Sequence, residues 1–336
     1  MSKARSGLWL LGLVLACPGT VAGQSPGTRA AGMGTAFVAV ADDASAVYWN
    51  PAGVATGPYF GAEADLGELV AHPDETPLEA RTVGSRATSR LLALSVPPLG
   101  LSYYRLSRVQ IAPAVAGAPG REDGRVSASR LTTSHWGATL LQSVGEYVTV
   151  ATTLKLVRGD VASGLVPAGD WGATFDAADG VAGVQASKAD VDVGVMMAVE
   201  RVHLGLVARN LRRPEFGDAG AGEPSARLDR EVRVGAAFGT GWPGRSDLIL
   251  AVDADLTTRS DPSGDRRDVA AGAETWWLGG RLGVRGGVRA SGVGARRTVT
   301  SAGVSVGLTQ SFFVDAQVTG GGGIDRGWGA GARIVF

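Results

Sequence analysis

The chain combines an apolar composition with an even charge balance, which excludes several classes of protein. Of its 336 residues, 45% are hydrophobic, yet Lys+Arg and Asp+Glu number 32 each, so no net basic field is available to hold a nucleic-acid backbone. A membrane β-barrel has this kind of composition, because its apolar residues alternate along strands and do not form long blocks.

The first 24 residues have the organisation of a secretory signal peptide. Lys3 and Arg5 precede the apolar stretch 7–16, which is too short to cross a bilayer as a helix, and small residues follow before Gln24. Cys17 is the single cysteine, and its surroundings loosely resemble a lipoprotein box, so lipidation is the alternative to its removal with the signal. We expect an exported protein whose mature form has no thiol, disulfide or cysteine-bound metal.

Residues 25–56 precede the first predicted strand and combine small residues with types that start helices. Asp42, Asp43 and Ser45 favour a short helix over 44–49, and Asn50 before Pro51 disfavours helical geometry, so the helix should end there. Glycines in this stretch allow close packing and positive φ. These residues fit an ordinary capped helix and turn packed on the sheet. We expect a structural plug, and a plug that also gates is the alternative.

From residue 57 onward the dominant pattern has a period of two, which places alternate side chains on opposite faces of a strand. In residues 231–239, for example, Val232 and Val234 alternate with Glu231 and Arg233. Turn signals and changes of parity predict an all-β, transmembrane antiparallel up-and-down barrel of about 14 strands over 57–336. The predicted strands are 57–67, 84–96, 99–110, 128–142, 146–158, 189–200, 201–211, 230–240, 246–258, 266–278, 280–291, 297–309, 310–319 and 327–336.

The predicted connections alternate in length along the chain. Long ones follow the first, third, fifth and seventh strands, and short ones such as Pro97-Pro98 and 143–145 follow the even strands. Outer-membrane barrels have this asymmetry, with short periplasmic turns, longer extracellular loops and both termini in the periplasm. We therefore expect a bacterial outer-membrane protein surrounded by outer-membrane lipid.

Charged side chains of both signs fall on one face of the predicted strands. Such charges are prohibitive in hydrocarbon, so that face should line the lumen, and the mixture of signs favours pairing across strands over a strongly ion-selective pore. The predicted lumen-facing charges are Asp190, Asp192, Arg201, Arg209, Arg233, Asp253, Asp255, Arg281, Arg285 and Arg289.

The last predicted strand ends on an aromatic residue. Trp328, Ile334 and Phe336 lie on its alternating apolar face, and this ending resembles the signal read by the barrel-assembly machinery. A catalytic or metal site has less support in the sequence. His72, His135 and His203 are far apart and lack the spacing of zinc ligands, so we expect neither a metal, a cofactor nor an enzyme.

One stretch resembles a known family more specifically. Residues 31–34, 41–46 and 50–53 read AGMG, ADDASA and NPAG. They resemble the opening segment of FadL-type long-chain fatty-acid transporters and of the related PorV/PorQ-type outer-membrane proteins, in which this segment forms a small hatch inside the barrel. Residues 190–194 and Asn210-Leu211 with Pro214 resemble the PorV/PorQ-like branch more. The resemblance implies a hatch over 25–56 whose motif is Gly32, Gly34, Asp42, Asp43, Ser45, Asn50, Pro51 and Gly53.

Three functions remain open from the sequence. The first is passage of small hydrophobic molecules across the outer membrane past the N-terminal plug. The second is a PorV/PorQ-like role in type IX secretion, in which the barrel binds or shuttles secreted proteins at the cell surface. The third is an outer-membrane enzyme, which the residues hardly support. An apolar cavity between plug and wall would favour transport, whereas a closed, charge-filled lumen with broad loops would favour partner binding.

Overall fold

The computed structural model describes residues 25–72, 83–113, 124–218, 224–240, 248–259, 265–294, 297–321 and 325–336. The predicted signal peptide, with Cys17, lies outside these ranges. Within them, no helix has the length and apolar character needed to cross a bilayer. The helices are α1 (Thr28–Gly32), α2 (Ala46–Trp49), a 3₁₀ helix (Pro51–Thr56) and α3 (Trp171–Asp179).

The strands form a closed antiparallel barrel and one small separate pair. In chain order they are β1 (Gly61–Ala71), β2 (Gly84–Val96), β3 (Leu99–Pro113), β4 (Arg125–Val144), β5 (Val148–Pro167), β6 (Val184–Val199), β7 (Val202–Arg209), β8 (Glu215–Phe216), β9 (Ala226–Arg227), β10 (Glu231–Gly239), β11 (Leu248–Asp255), β12 (Asp268–Trp277), β13 (Leu282–Ser291), β14 (Thr298–Gly307), β15 (Phe312–Gly321) and β16 (Asp325–Val335).

Fourteen of these strands make up the barrel, and β8 pairs with β9 apart from it. Each barrel strand pairs with its neighbours in the chain, and β16 returns to β1 with Val335 opposite Gly61. Closure leaves the barrel sheet itself without a free edge. The predicted strand number, antiparallel pairing and order are confirmed.

The two faces of the wall differ as the alternation predicts. Outward side chains such as Leu204, Val234 and Val252 are 42%, 38% and 55% exposed, while Arg233 and Asp253 on the inner face are buried. An outward apolar surface around a ring of fully paired backbone is what hydrocarbon requires. The chain is therefore built as a membrane-embedded barrel.

β4 and β5 are longer than predicted, and α3 is the reason. Both strands run for 20 residues, with Arg125 opposite Pro167 at the end where the long connections lie. Trp171 and Phe175 of α3 pack against Val126 and Val166 in one buried cluster. The strand residues of this cluster stand at outward-facing positions. Beyond the exposed apolar belt these outward side chains are therefore buried under α3, and simple alternation of buried and exposed residues no longer describes the strands.

The β8–β9 pair lies on the opposite face of the same strands. Phe216 is fully buried against the inward-facing side chains Val157 and Val161. The connection between β7 and β10 therefore folds back over the inner face, while the connection between β5 and β6 covers the outer face.

Candidate functional site: the N-terminal segment on the inner wall

Residues 25–60, called here the N-terminal segment, pack against the inner face of the wall. Phe37 and Trp49 are completely buried, with ring centroids 6.1 Å apart in an edge-to-face arrangement. Trp49 Nε1 donates a hydrogen bond of 2.9 Å to the Pro26 carbonyl. The segment thus has an apolar centre of its own and contacts inward-facing groups from strands all around the ring.

Wall glycines let the backbone of the segment approach the backbone of the strands. A Cβ on Gly287 would lie 2.2 Å from the Met33 carbonyl carbon, and one on Gly205 would lie 2.4 Å from the Val38 oxygen. Gly34, at φ +67°, has a similar approach to β13, since its Cβ would meet the Val288 nitrogen at 2.6 Å. A side chain at any of these positions would separate the two backbones.

Arg29 joins the segment to the wall through three carboxylates. Its Nε and Nη2 donate to Glu274 of β12 at 2.8 and 2.6 Å, and its Nη1 donates to Asp43 at 3.1 Å and to Asp42. Burial of the guanidinium opposes its charge, but these carboxylates outweigh that effect and hold the pKa of Arg29 well above its ordinary value. Asp42 and Asp43 therefore serve mainly as partners of a buried cation.

Asp43 and Ser45 also shape the turn before α2. The Ser45 amide and hydroxyl donate to Asp43 Oδ1 at 3.1 and 2.5 Å, and the same amide reaches Glu63 of β1 at 3.1 Å. The predicted helix over 44–49 begins two residues later, at Ala46. Both carboxylates thus hold the amide of the residue that precedes the helix.

The Asn50-Pro51 pair ends α2, as its sequence predicts. Asn50 is extended (φ −159°, ψ 102°), and its Oδ1 accepts from the Ala52 amide at 3.2 Å to begin the 3₁₀ helix. Its Nδ2 donates to the carbonyls of Val38 and Val195 at 2.9 and 3.1 Å, which joins two parts of the segment to β6. Gly53 packs closely on Ala41: a Cβ added to Gly53 would lie 2.1 Å from the carbonyl oxygen of Ala41.

Wall carboxylates accept hydrogen bonds from the backbone of the segment. Asp253 Oδ2 accepts from the amides of Phe37 and Val38 at 2.9 and 3.0 Å, and Asp65 Oδ1 accepts from the Thr28 amide at 2.7 Å. These bonds satisfy amides that a short irregular chain leaves free. They hold the segment at β11 and at β1, on separate parts of the ring.

The remaining inward charges form networks within the wall. Arg285 bridges Glu274 and Asp315 at 3.1 and 2.9 Å, and Asp315 also pairs with Arg333 at 3.1 Å. Lys155 pairs with Asp190 and Asp192 at 3.0 and 2.7 Å in a second network. The opposite signs are matched side by side, which suits a filled lumen better than an ion-selective one.

Eight of the ten predicted lumen charges lie on the inner face, and two do not. Arg201 and Arg281 are exposed and stand in the short turns before β7 and β13, so their prediction as lumen residues is wrong. Each lies one residue before its strand begins, where alternation no longer fixes a direction. The eight on the inner face are Asp190, Asp192, Arg209, Arg233, Asp253, Asp255, Arg285 and Arg289.

Sequence reasoning missed the residues at the centre of the arrangement. Arg29 carries no periodic signal, because it lies outside any strand. Glu274 stands among Ala270, Gly272 and Thr275, where small residues on both faces hide the alternation. Glu63 and Asp65 alternate with apolar residues in β1 and were recoverable from that pattern alone.

Two small cavities flank the N-terminal segment. One, of about 30 Å³, lies between Thr35 and the strands that carry Arg289 and Gln317. The other, of about 40 Å³, lies between Tyr48 and the side chains of His135 and Arg209. Each has room for a few water molecules at most, so the segment lies close against the wall at both of these places.

The predicted assembly-signal residues face outward at the end of the chain. Trp328, Ile334 and Phe336 are 47%, 38% and 71% exposed. The Phe336 ring lies 5.9 Å from that of Phe60, where the N-terminal segment meets the first strand. The apolar row on β16 thus reaches the end of the barrel that carries the short turns.

No protein-family model and no curated protein matches this chain. Solved structures do match: a Pseudomonas aeruginosa FadL homologue superimposes with a TM-score of 0.65 at 12% identity, over 95% of this chain and 100% of that one. This chain has the fold of FadL-type barrels. The Ralstonia pickettii toluene transporter TbuX gives a TM-score of 0.63 at 12% identity (92% and 98% covered), and the Pseudomonas putida toluene transporter TodX gives 0.60 at 11% (94% and 97%).

Proposed function

We propose that this protein is an outer-membrane channel for small hydrophobic molecules, and that the N-terminal segment is its hatch. The observation that carries the proposal is the way this segment is attached. It is held inside the ring by side-chain bonds to single wall residues such as Glu274, Asp253 and Asp65, while the strands pair only with each other. A plug attached in this way can shift without breaking the barrel.

The comparison with FadL-type barrels supports the substrate class. Two of the similar structures are toluene transporters, and a further one is a monoaromatic hydrocarbon channel from the TodX series. In the present arrangement, the cavities of about 30 and 40 Å³ beside the hatch are too small for a through passage. We infer that transport past the hatch requires it to move, and that the observed arrangement is the resting one.

Deletion of residues 27–55, with the signal retained, tests the hatch. No strand loses a ladder partner, and the wall carboxylates that the segment leaves would be solvated by water in the open lumen. We expect a folded barrel whose single-channel conductance in planar bilayers exceeds that of the intact chain. Folding is checked first by heat-modifiable migration on gels. A folded deletion with no higher conductance would remove the gate from the proposal.

A second candidate is a PorV/PorQ-like role in carrying secreted proteins at the cell surface. The observation that favours it is the lumen filled with matched charges, such as Arg285 between Glu274 and Asp315. The rate of toluene uptake by cells that express the chain, compared with cells that lack it, separates the two roles, because a channel should speed entry through the outer membrane and a partner-binding barrel should not. Equal rates would favour the second candidate.

A further inference from the structure

We propose that the outer surface of β1–β5 binds a phosphorylated lipid of the leaflet at the end of the barrel where the long connections lie. The phosphate groups would contact Arg90, Arg105 and Arg158, and the acyl chains would lie in an apolar concavity directly below them. This goes beyond transport, since it concerns the face of the barrel opposite to the lumen.

The three arginines form one row across neighbouring strands. Arg90 of β2 is opposite Arg105 of β3, Arg105 is opposite Ser134 of β4, and Ser134 is opposite Arg158 of β5. Their parity is that of the outward residues, and all three are exposed. The row crosses four adjacent strands, which lie about 5 Å apart. Its three positive charges are therefore within the reach of one large headgroup.

These charges are not neutralised by the protein within the described residues. Among the described residues, no ion pair involves Arg90 or Arg105, and Arg158 donates to the neutral amide oxygen of Gln185. By contrast, Arg86 and Arg130, four positions nearer the loops on β2 and β4, are paired with Asp176, Asp179 and Asp160. The lower row is thus the one left free for an external anion.

The row stands at the upper border of the apolar belt. Two residues below it, about 7 Å along the strands, Leu92, Tyr103, Trp136 and Leu156 are opposite one another in register. Leu92, Trp136 and Leu156 are 56%, 44% and 53% exposed, and the rings of Tyr103 and Trp136 are 5.4 Å apart. Exposed aromatic and apolar side chains mark the hydrocarbon boundary, so the arginines lie at headgroup depth.

The wall below the row is concave on its outer side. The concavity has a volume of about 990 Å³, and its lining includes the small outward residues Ala332 of β16 and Ala62 and Ala64 of β1, followed around the wall by the larger Leu92 of β2 and Leu154 of β5. Small residues on adjacent strands leave a groove in an otherwise convex surface. Acyl chains are the apolar material available at this depth.

The flanking groups fix the kind of headgroup. The next row towards the loops has Glu68 and Asp160; Asp160 is paired with Arg130, and Glu68 is half-buried. Above that row α3 covers the surface through Trp171 and Phe175. A headgroup between the belt and α3 meets arginines on its lower side, and juxtamembrane arginines attract anionic lipids. Arginine forks suit phosphate oxygens in particular.

Lipid binding by the purified full chain tests the proposal. The probe is bisphosphorylated lipid A in mixed detergent micelles, and the readout is the lipid-bound fraction by native mass spectrometry as lipid is titrated. Each arginine–headgroup contact is worth about fivefold in affinity, so R90Q/R105Q/R158Q should bind about 100-fold more weakly. The matched control is R201Q/R281Q, which removes exposed arginines at the opposite end and should bind like the parent chain.

Three further measurements separate the alternatives. Dephosphorylated lipid A should bind the parent chain as weakly as the intact lipid binds the triple variant. Inorganic phosphate at millimolar concentration should compete poorly, and Ala64→Phe, which fills the concavity, should weaken lipid binding in a chain that keeps its three arginines. Parent-like binding by the folded triple variant would overturn the proposal. Full competition by phosphate with no effect of Ala64→Phe would overturn it too, because the row would then be a site for free anions.

Discussion

At the residue scale, Arg29 has the largest set of buried partners in the N-terminal segment. Its side chain is 5% exposed and touches carboxylates from both the segment and β12. Removing one partner from a buried charge cluster is strongly destabilising, by about 3–5 kcal/mol, since the remaining charges stay without water. In this protein the segment can relieve that strain by leaving its place, whereas the strands cannot.

Arg29→Gln should therefore loosen the segment and leave the barrel intact. We expect higher channel conductance and faster proteolysis within residues 25–60, while heat-modifiable migration is retained. Arg201→Gln, at an exposed turn position, is the control and should behave like the parent chain. Unchanged conductance and proteolysis in Arg29→Gln would show that the ion pairs do not hold the segment.

The outward face gives a second prediction at this scale. Leu204 is 42% exposed and is opposite Ala236 and Met197 on its neighbouring strands. Leu204→Arg places a charge in hydrocarbon and should lower the free energy of unfolding by about 2–4 kcal/mol if the position is near the midplane. Urea unfolding from lipid vesicles measures it, with Leu204→Ala as control. An equal loss in both variants would contradict the assignment of this face.

At the scale of elements, the contact between the N-terminal segment and β13 depends on backbone proximity. Gly287 faces inward, and its neighbour Gly286 faces outward, where a Cβ would meet nothing nearer than the Ser301 oxygen at 3.7 Å. Adjacent positions on one strand therefore differ only in face, which gives a matched pair of substitutions.

Gly287→Ala should displace the segment, and Gly286→Ala should not. The added methyl would overlap the Met33 carbonyl, which is backbone and cannot rotate away. We expect raised conductance and increased hydrogen exchange at residues 30–38 only in Gly287→Ala. If the two variants behave alike, the close approach of Met33 to β13 is not required for closure.

At the scale of the whole molecule, the closed ladder determines behaviour in detergent. Every barrel strand is paired on both sides, with β16 and β1 closing the ring. A ring of this kind has no edge from which unfolding can begin, and detergent replaces the lipid around it.

We expect the mature chain to fractionate with outer membranes and to migrate faster on gels before boiling than after it. The physical reason is that the folded barrel stays compact in detergent until heat breaks its hydrogen bonds. The control is the same sample denatured in urea before loading, which should migrate like the boiled protein. Recovery of the chain in the periplasm without detergent would contradict the membrane assignment.

The alternation of side chains was sufficient to predict the barrel. Period-two patterning and turn residues gave fourteen strands in the observed order, because burial on one face and hydrocarbon on the other constrain every second residue. Local chemistry likewise predicted that α2 ends at Asn50-Pro51, since the residue before proline avoids helical geometry. These features depend on neighbours in the chain, which the sequence displays directly.

Only the tertiary structure decided which residues meet across the lumen. The pairing of Arg29 with Glu274 joins positions 245 apart, and Gly287 meets Met33 through a ring closed by other strands. The exposed positions of Arg201 and Arg281, and the packing of α3 on the outer face, depend on where strands end and where loops fold back. Alternation predicts which face of the wall each side chain is on. The residues that it contacts across the lumen depend on the register and curvature of the closed wall, which are properties of the whole ring.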